Sequence, residues 1–359
     1  MRVVVDPRAH DPVVRLAGVT CRPGPTDALE DLDLAVGRGE LVALLDPTGS
    51  SARTVLRVIA GLVRPDAGQV VLSGRDVTEL PARERAVGLV PPVATVRPGR
   101  TVAGAALPNG TVRRRADRVE ARQRAGELLE LVGLFGRAGA RAHRLGAADR
   151  QRLALVRALA GDPDVLLLDE PLSRLDGREQ LRSREELRRL QVRLGVTTVL
   201  ATSDAPEALA AADRVAVLRA GRLEQVGTPD EVYTRPATSF VAGCVATMNR
   251  LPAVLGDGDV EFLGVRREVL GAAPRPGPAT ALVRPEALEV AADPRGDGRV
   301  LTRTFSGVTS RLAIGLPGGV EVRADVPSAT SQDLLPGTAV TVTPAEQPVL
   351  VVLREEPAD

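Results

Sequence analysis

Two short stretches of the chain combine residue types that could handle phosphate. The segment "DPTGSSART" (46–54) follows an apolar run and precedes a helical pattern, so its backbone N–H groups would face outwards at a helix N-terminus. A second apolar run, "VLLL", ends in the carboxylates Asp169 and Glu170. The continuous apolar run predicts a strand that is buried on both faces. The first stretch has the outline of a phosphate-binding loop that runs from a strand into a helix.

The loop departs from the pattern that binds phosphate. A working phosphate loop reads G-x-x-x-x-G-K-[ST], in which the Lys reaches the phosphates and the hydroxyl ligates Mg²⁺. Laid on that pattern without gaps, the positions are Asp46, Pro47, Thr48, Gly49, Ser50, Ser51, Ala52 and Arg53, with Thr54 next. Asp46 places a negative charge near the expected phosphate, and Ser51 lacks the freedom of glycine at positive φ. Ala52 removes the cation, and Arg53 cannot ligate a metal.

Two interpretations of these stretches remain open. The loop is either a strand–turn–helix corner retained for folding, or a weak nucleotide site in which the N–H groups of residues 49–54 bind phosphate and Arg53 replaces the lost cation. Asp169 and Glu170 are either structural or still functional. Without a bound metal they lack countercharge, so one is protonated or pairs with Arg53.

Composition limits the classes of function. The chain has 359 residues, 44% of them apolar, and a formal net charge of +1. The length predicts two domains, and the near-neutral charge argues against a nucleic-acid partner. We expect no secretory signal and no membrane span, since no apolar run is long enough. The sequence contains no lysine. A GC-rich coding background explains the loss of lysine where another residue can replace it, but it does not explain the loss of a lysine that the function requires.

The pattern of apolar and polar residues changes near residue 236. Up to that point apolar, strand-like runs such as residues 40–45, 164–171 and 197–204 alternate with helical patterns, which predicts an α/β domain over residues 1–236. Residues 213–227 read as a hairpin turning at Ala220–Gly221. From 237 to 359, short alternating strands separated by Gly and Pro predict a small all-β domain, a barrel.

The text "QRLALVRALAGDPDVLLLDEPLSRLD" (151–176) closely resembles ATP-binding-cassette (ABC) ATPases. Residues 213–243 and "ALVRPEALEV" (281–290) resemble importer subunits of the maltose, polyamine, ferric-iron and sulfate type. The resemblance implies a P-loop ABC ATPase domain, a helical subdomain at about residues 93–140, and a C-terminal OB-like (TOBE) domain.

The resemblance also assigns roles, several of them to substituted positions. The Walker B carboxylates fall on Asp169, which would ligate Mg²⁺, and on Glu170, and the D-loop includes Ser173 and Asp176. The Q-loop glutamine falls on Pro92 and the switch histidine on Ser203. The signature LSGGQ falls on Leu145, Gly146, Ala147, Ala148 and Asp149.

The family implies ATP and Mg²⁺ as cofactors, permease subunits as partners, a homo- or heterodimer of ATPase subunits, and a cytoplasmic place at the inner face of the plasma membrane. Because so many polar positions are substituted, the sequence predicts that ATP is bound weakly and hydrolysed poorly or not at all. Two alternatives stay open: an active ATPase that tolerates the substitutions, and a non-catalytic regulatory or scaffold protein that acts through the C-terminal β-domain.

Overall fold

The computed structural model describes residues 12–24, 27–108, 115–271 and 275–353. The chain falls into two compact units that divide between Glu231 and Val232. The boundary expected from the sequence, after residue 236, lies inside the second unit and stays a prediction.

The first unit alternates strands and helices. Its strands are β1 (Val14–Cys21), β2 (Leu29–Val36), β3 (Leu41–Leu45), β4 (Ala67–Leu72), β5 (Arg75–Asp76), β6 (Val87–Val90), β7 (Val165–Asp169), β8 (Thr197–Thr202), β9 (Arg214–Arg219) and β10 (Arg222–Gly227). Its helices are α1 (Ser50–Ile59), α2 (Val102–Ala105), α3 (Arg115–Leu131), α4 (Ala147–Leu159), α5 (Gly177–Leu194) and α6 (Ala205–Ala211). Single 3₁₀ turns occupy Ala82–Glu84, Phe135–Arg137 and Ala142–Arg144.

A six-stranded sheet in the order β10-β9-β3-β8-β7-β6 positions the phosphate-type segments. Every pair in it is parallel except β9 with β10. Strands β3 and β8 are buried along their whole length, and β7 along all but its last residue, as the continuous apolar runs predict for a sheet covered on both faces. In the register, Leu45 faces Thr202 and Asp169 faces Ala201, so the carboxyl ends of these strands meet at one edge.

Helix α1 leaves that edge and packs its apolar face into the core with a four-stranded antiparallel sheet in the order β2-β1-β4-β5. Its C-terminus is fixed by the buried Arg85, whose guanidinium donates to the carbonyls of Val58 (2.7 Å) and Ile59 (2.9 Å). Gly61 follows at φ +71°, and a Cβ there would lie 2.6 Å from Arg85 Nε. The predicted hairpin is present, turning at Ala220 (φ +47°) and Gly221 (φ +81°).

The predicted helical subdomain is only partly helical. Residues 93–100 are irregular, α2 is a single turn, and α3 supplies most of the helix. The part of the prediction that covers residues 109–114 lies outside the described residues.

The second unit is built from strands, which confirms the predicted small all-β, OB-like region. Two short helices, α7 (Pro229–Thr234) and α8 (Ser239–Val245), lead into it. Helix α8 departs from the prediction of an all-β region from residue 237 onwards. The strands are β11 (Asn249–Leu255), β12 (Asp259–Phe262), β13 (Val265–Glu268), β14 (Gly277–Val283), β15 (Leu288–Ala292), β16 (Gly298–Ser306), β17 (Thr309–Leu316), β18 (Val320–Pro327), β19 (Ala339–Pro344) and β20 (Leu350–Leu353), with 3₁₀ turns at Pro285–Ala287 and Pro317–Gly319.

These strands form two five-stranded antiparallel sheets, in the orders β13-β12-β11-β14-β20 and β15-β19-β16-β17-β18. Apolar residues of both sheets share one core. Across the described part of the chain, none of the helices has the length and apolar character that crossing a bilayer would require.

Candidate functional site

The structure brings the loop and the two carboxylates together, as expected for the carboxyl edge of a parallel sheet. The loop Asp46–Gly49 runs from β3 to α1. Asp169 ends β7 and Glu170 follows it, and Ser203 follows β8. Backbone hydrogen bonds join the three strand ends: Asp46 N donates to the Thr202 carbonyl (3.1 Å) and Glu170 N to the Ala201 carbonyl (2.9 Å).

The carboxylate of Asp46 lies inside the loop, and the residue is 2% exposed. Its Oδ2 accepts from the N–H groups of Ser51 (2.8 Å) and Ala52 (3.2 Å). Its Oδ1 accepts from both the N–H (2.9 Å) and the hydroxyl (2.8 Å) of Thr48. The first-turn N–H groups that a phosphate loop presents to its ligand are therefore bonded to an anion of the protein itself.

Local sequence explains this arrangement. In "DPT", the Asp46 side chain bonds the N–H two residues on, which is an Asx turn, and a proline in between is compatible with it. Gly49 at φ +70° then turns the chain into α1, whose positive N-terminus stabilises the carboxylate. Sequence reasoning placed a negative charge here but missed that it would cap the helix; the Asp-x-Thr spacing was the available signal.

Arg53 occupies the place where a metal-binding hydroxyl was expected and pairs with Asp169. Its Nε lies 3.1 Å from Asp169 Oδ2 and 3.2 Å from Oδ1. The Asp169 side chain is 13% exposed and that of Arg53 is 46% exposed. Burial raises the pKa of Asp169, and the charge and hydrogen bond of Arg53 oppose that rise. Of the two outcomes expected for the carboxylates, pairing with Arg53 is the one the structure contains.

Glu170 is held at the same edge by the backbone N–H of Ser203 and the hydroxyl of Ser173. Its Oε1 accepts from Ser203 N (2.9 Å), and its carbonyl accepts from the Ser173 hydroxyl (2.9 Å). The residue adopts φ +46°, an uncommon conformation for a side chain of this size. A Cβ added to Gly49 would lie 3.4 Å from Glu170 Oε1, so the Glu170 carboxylate lies near the loop. Ser203, at the switch position, contributes its backbone N–H to this contact.

Sequence reasoning missed Glu207, a buried carboxyl just behind this edge. The residue is 2% exposed and accepts a hydrogen bond from the Thr202 hydroxyl. Burial raises the pKa of Glu207 to about 7; the bond from Thr202 acts against that rise, and the charges of Asp204 and Glu170 add to it. The only indication in the sequence that Glu207 is buried was its place in the alanine-rich segment "APEALAA".

The signature positions begin helix α4. Gly146 is the N-cap, Ala147 is the first helical residue, and Asp149 lies in the first turn. Asp149 pairs with Arg137 (2.5 Å) and Arg152 (3.0 Å). This helix N-terminus, like that of α1, therefore carries a carboxylate of the protein, which favours the helix and opposes the approach of phosphate.

The Q-loop and D-loop positions, Pro92 and Asp176, have structural roles. Pro92 follows β6, where its ring offers no group that could bind a metal or a water. Asp176 is the N-cap of α5, and its Oδ1 accepts from the N–H groups of Arg178 (3.1 Å) and Glu179 (2.9 Å).

The residues present do not fit Mg²⁺ and a triphosphate. The Asp46 carboxylate fills the loop, and the guanidinium of Arg53 is bonded to the carboxylate expected to face a metal. The interpretation as a weak nest of N–H groups with Arg53 as its cation stays a prediction. In this structure Ser51 N and Ala52 N donate to Asp46, and Arg53 pairs with Asp169.

Comparison with known proteins identifies the family. The ABC transporter family model matches residues 29–173, and the TOBE domain model matches residues 281–352. The chain is 42% identical over 344 residues to a sulfate/thiosulfate import ATP-binding protein of Chromobacterium violaceum, which covers 91% of this chain and 92% of that protein. It is 41% identical to a spermidine/putrescine import ATP-binding protein of Acidothermus cellulolyticus, with 76% of this chain and 73% of that protein covered.

Solved structures agree on the fold of the first unit. A Clostridium perfringens protein described as part of an ABC transporter complex superposes with a TM-score of 0.56 at 23% identity, over 62% of this chain and 90% of that one. Sequence similarity over most of both chains, together with this fold, gives the assignment. The chain belongs to the family of ABC importer ATP-binding subunits that carry a C-terminal TOBE domain.

Proposed function

We propose that this chain takes the place of the ATP-binding subunit in an ABC importer, docked on permease subunits at the inner face of the plasma membrane, and that its own ATP hydrolysis is weak or lost. One observation carries the second part. The protein's own carboxylate, that of Asp46, accepts the loop N–H groups that would bind phosphate.

The size of the expected loss follows from the groups that are missing. Removing one preorganised donor to a transition-state oxygen costs about 10²–10³ in rate. The lysine, the metal-binding hydroxyl, the Q-loop glutamine and the switch histidine are replaced by Ala52, Arg53, Pro92 and Ser203. Such losses are not additive, yet two or three of them would bring turnover close to background.

A competent partner subunit does not restore the activity in this proposal. In the family, each composite site joins the loop of one subunit to the signature of the other. Here both halves are altered, at Asp46–Arg53 and at Gly146–Asp149, so either pairing spoils both sites. Docking on a permease depends on shape more than on catalysis and can persist.

Calorimetric titration with ATP, in the presence and absence of Mg²⁺, tests the proposal together with an assay of phosphate release. We expect no tight Mg²⁺-dependent binding, and phosphate release at background that Glu170→Gln does not reduce. An exposed carboxylate, changed in Glu120→Gln, is the matched control. Tight binding that requires Mg²⁺, with release abolished by Glu170→Gln alone, would show an active ATPase and overturn the proposal.

A further inference from the structure

The chain between β8 and α6 is held between two carboxylates. This β8–α6 junction consists of Thr202, Ser203 and Asp204. On one side, Ser203 N donates to Glu170 Oε1 (2.9 Å). On the other side, the Thr202 hydroxyl donates to Glu207 Oε2, and it also accepts from Asp204 N (3.0 Å). A change of charge on Glu207 therefore acts directly on the junction.

Asp204 connects the junction to helix α5. Its Oδ1 accepts from Glu207 N (3.3 Å) and caps the start of α6. Its Oδ2 pairs with Arg184 of α5 (3.0 Å), whose side chain is 12% exposed. The cap of α6 and the ion pair with α5 therefore depend on the same carboxylate.

Arg184 and Glu207 each have a buried polar atom without a hydrogen bond. In the part of the chain that the structure describes, neither Arg184 Nε nor Glu207 Oε1 has a partner. Buried polar groups of native proteins are nearly always paired. The charge of Arg184 also acts on Glu207, so the two side chains lie within electrostatic range of each other. An arrangement in which Arg184 Nε–H donates to Glu207 would satisfy both atoms.

Charged groups act on Glu207 from three elements. Asp204 lies at the start of α6, Glu170 follows β7, and Arg184 belongs to α5. Strand β3 also packs against α6 but has only apolar residues, and β8 contributes the uncharged Thr202. The surroundings of Glu207 therefore hold two negative charges and one positive charge.

These surroundings favour the neutral form of Glu207. The residue is 2% exposed, and burial disfavours a carboxylate. The charges of Asp204 and Glu170 add to that effect, and the pKa of Glu207 is raised to about 7. Loss of the proton to water leaves a buried carboxylate beside Arg184, whose Nε–H is free to donate.

We propose that the β8–α6 junction has two arrangements, which are selected by the proton on Glu207. When Glu207 is protonated, Arg184 pairs with Asp204 and Asp204 caps α6, as in this structure. When Glu207 is ionised, Arg184 moves towards it and the cap of α6 weakens. The added negative charge also repels Glu170 and loosens its bond from Ser203 N. The proposal does not depend on whether the chain hydrolyses ATP.

NMR of the full, ¹⁵N-labelled chain from about pH 5.5 to 8 tests this coupling. The Nε–H resonance of Arg184 and the amide of Ser203 should both move, with one midpoint near the pKa of about 7. In Glu207→Gln, which stays neutral, neither resonance should move. Glu185→Gln removes an exposed carboxylate next to Arg184 on α5 and should titrate as the wild type does.

Hydrogen exchange of the peptide that spans the junction, measured by mass spectrometry, gives a second readout. At pH 8 this peptide should exchange about fivefold faster in the wild type than in Glu207→Gln, which is the effect of losing one N-cap. Comparing the two proteins at the same pH cancels the intrinsic pH dependence of exchange. Peptides from β3 should exchange equally in both proteins.

Two outcomes overturn the proposal. If the Ser203 amide titrates unchanged in Glu207→Gln, the proton that moves it belongs to another group. If Arg184 Nε–H does not shift in the wild type, or the junction exchanges equally in both proteins, the arrangement is fixed.

Arg184→Gln keeps the proposal testable should Glu207→Gln fail to fold. This variant removes the cation that favours ionised Glu207, so the midpoint of the Ser203 amide should move to higher pH. An unchanged or lower midpoint would contradict the role given to Arg184.

Discussion

At the scale of single residues, Asp46 and Arg53 decide the chemistry of the loop. The sequence shows both substitutions, and the pairing of Arg53 with a carboxylate could be predicted from it. The inward turn of Asp46 was not predicted. The Asp-x-Thr spacing allows it, but a carboxylate at that position can face either solvent or the helix N-terminus. Which it does depends on the course of the chain through Thr48 and Gly49.

Asp46→Gly should lower the free energy of unfolding by about 2 kcal/mol, because it removes the cap of α1 and leaves the N–H groups of Ser51 and Ala52 without their acceptor. The same change opens the loop to an external anion. We therefore expect inorganic phosphate to raise the melting temperature of Asp46→Gly and not that of the wild type.

The control is Asp46→Asn, whose amide still fills the loop and should not respond to phosphate. Equal responses of the wild type and Asp46→Gly to phosphate would contradict the assignment of Asp46 as the anion of the loop.

At the scale of elements, the strands at the site were predictable because they are buried on both faces. Runs such as "VLLL" in β7 have no polar alternation, which distinguishes them from surface strands. The junction between β8 and α6 was less predictable. Glu207 lies one turn into α6, and its burial depends on how the helix packs behind the strand, which the sequence does not specify.

Glu207 should make stability fall with rising pH. Since its pKa rises from 4.5 to about 7 on folding, the folded chain holds a proton that the unfolded chain has released. Glu207 therefore does not lower the free energy of unfolding below pH 4.5. Between about pH 4.5 and 7 its effect makes the free energy of unfolding decline, and above pH 7 this free energy is lower by up to about 3 kcal/mol than it is below pH 4.5.

Melting temperatures measured from pH 4.5 to 8 check this prediction. Glu207→Gln cannot ionise, so the wild type should lose stability relative to this variant as the pH rises through the window. The exposed Glu120→Gln serves as the control and should keep the slope of the wild type. Parallel curves for the wild type and Glu207→Gln would refute the prediction.

At the scale of the whole molecule, the family and the division into two units can be recognised from long segments of the sequence. The chemistry of the site depends instead on single residues that are far apart in the sequence. The fold and the all-β second unit were predictable because periodicity and resemblance extend over many residues. Helix α8 and the irregular residues 93–100 were not, because short helices and loops carry little periodic signal.

Restoring the loop alone should restore binding but not turnover. A variant with Asp46→Gly, Ser51→Gly, Ala52→Lys and Arg53→Thr regains the G-x-x-x-x-G-K-[ST] pattern. We expect calorimetry to show Mg²⁺-dependent ATP binding by this variant. Phosphate release should stay near background, because Pro92, Ser203 and the signature positions remain substituted. Turnover well above background would mean that the loop is the only defect.

A carboxylate tethered to the backbone cannot diffuse away. A ligand that binds only the folded state stabilises it by an amount that rises with the logarithm of the ligand concentration above Kd. A loop that binds ATP is therefore held more firmly when ATP is abundant. In this chain the anion at the start of α1 is the carboxylate of Asp46, which is part of the protein and is always present. On the proposal that this chain binds ATP weakly, the conformation of this loop should not follow the ATP concentration of the cell.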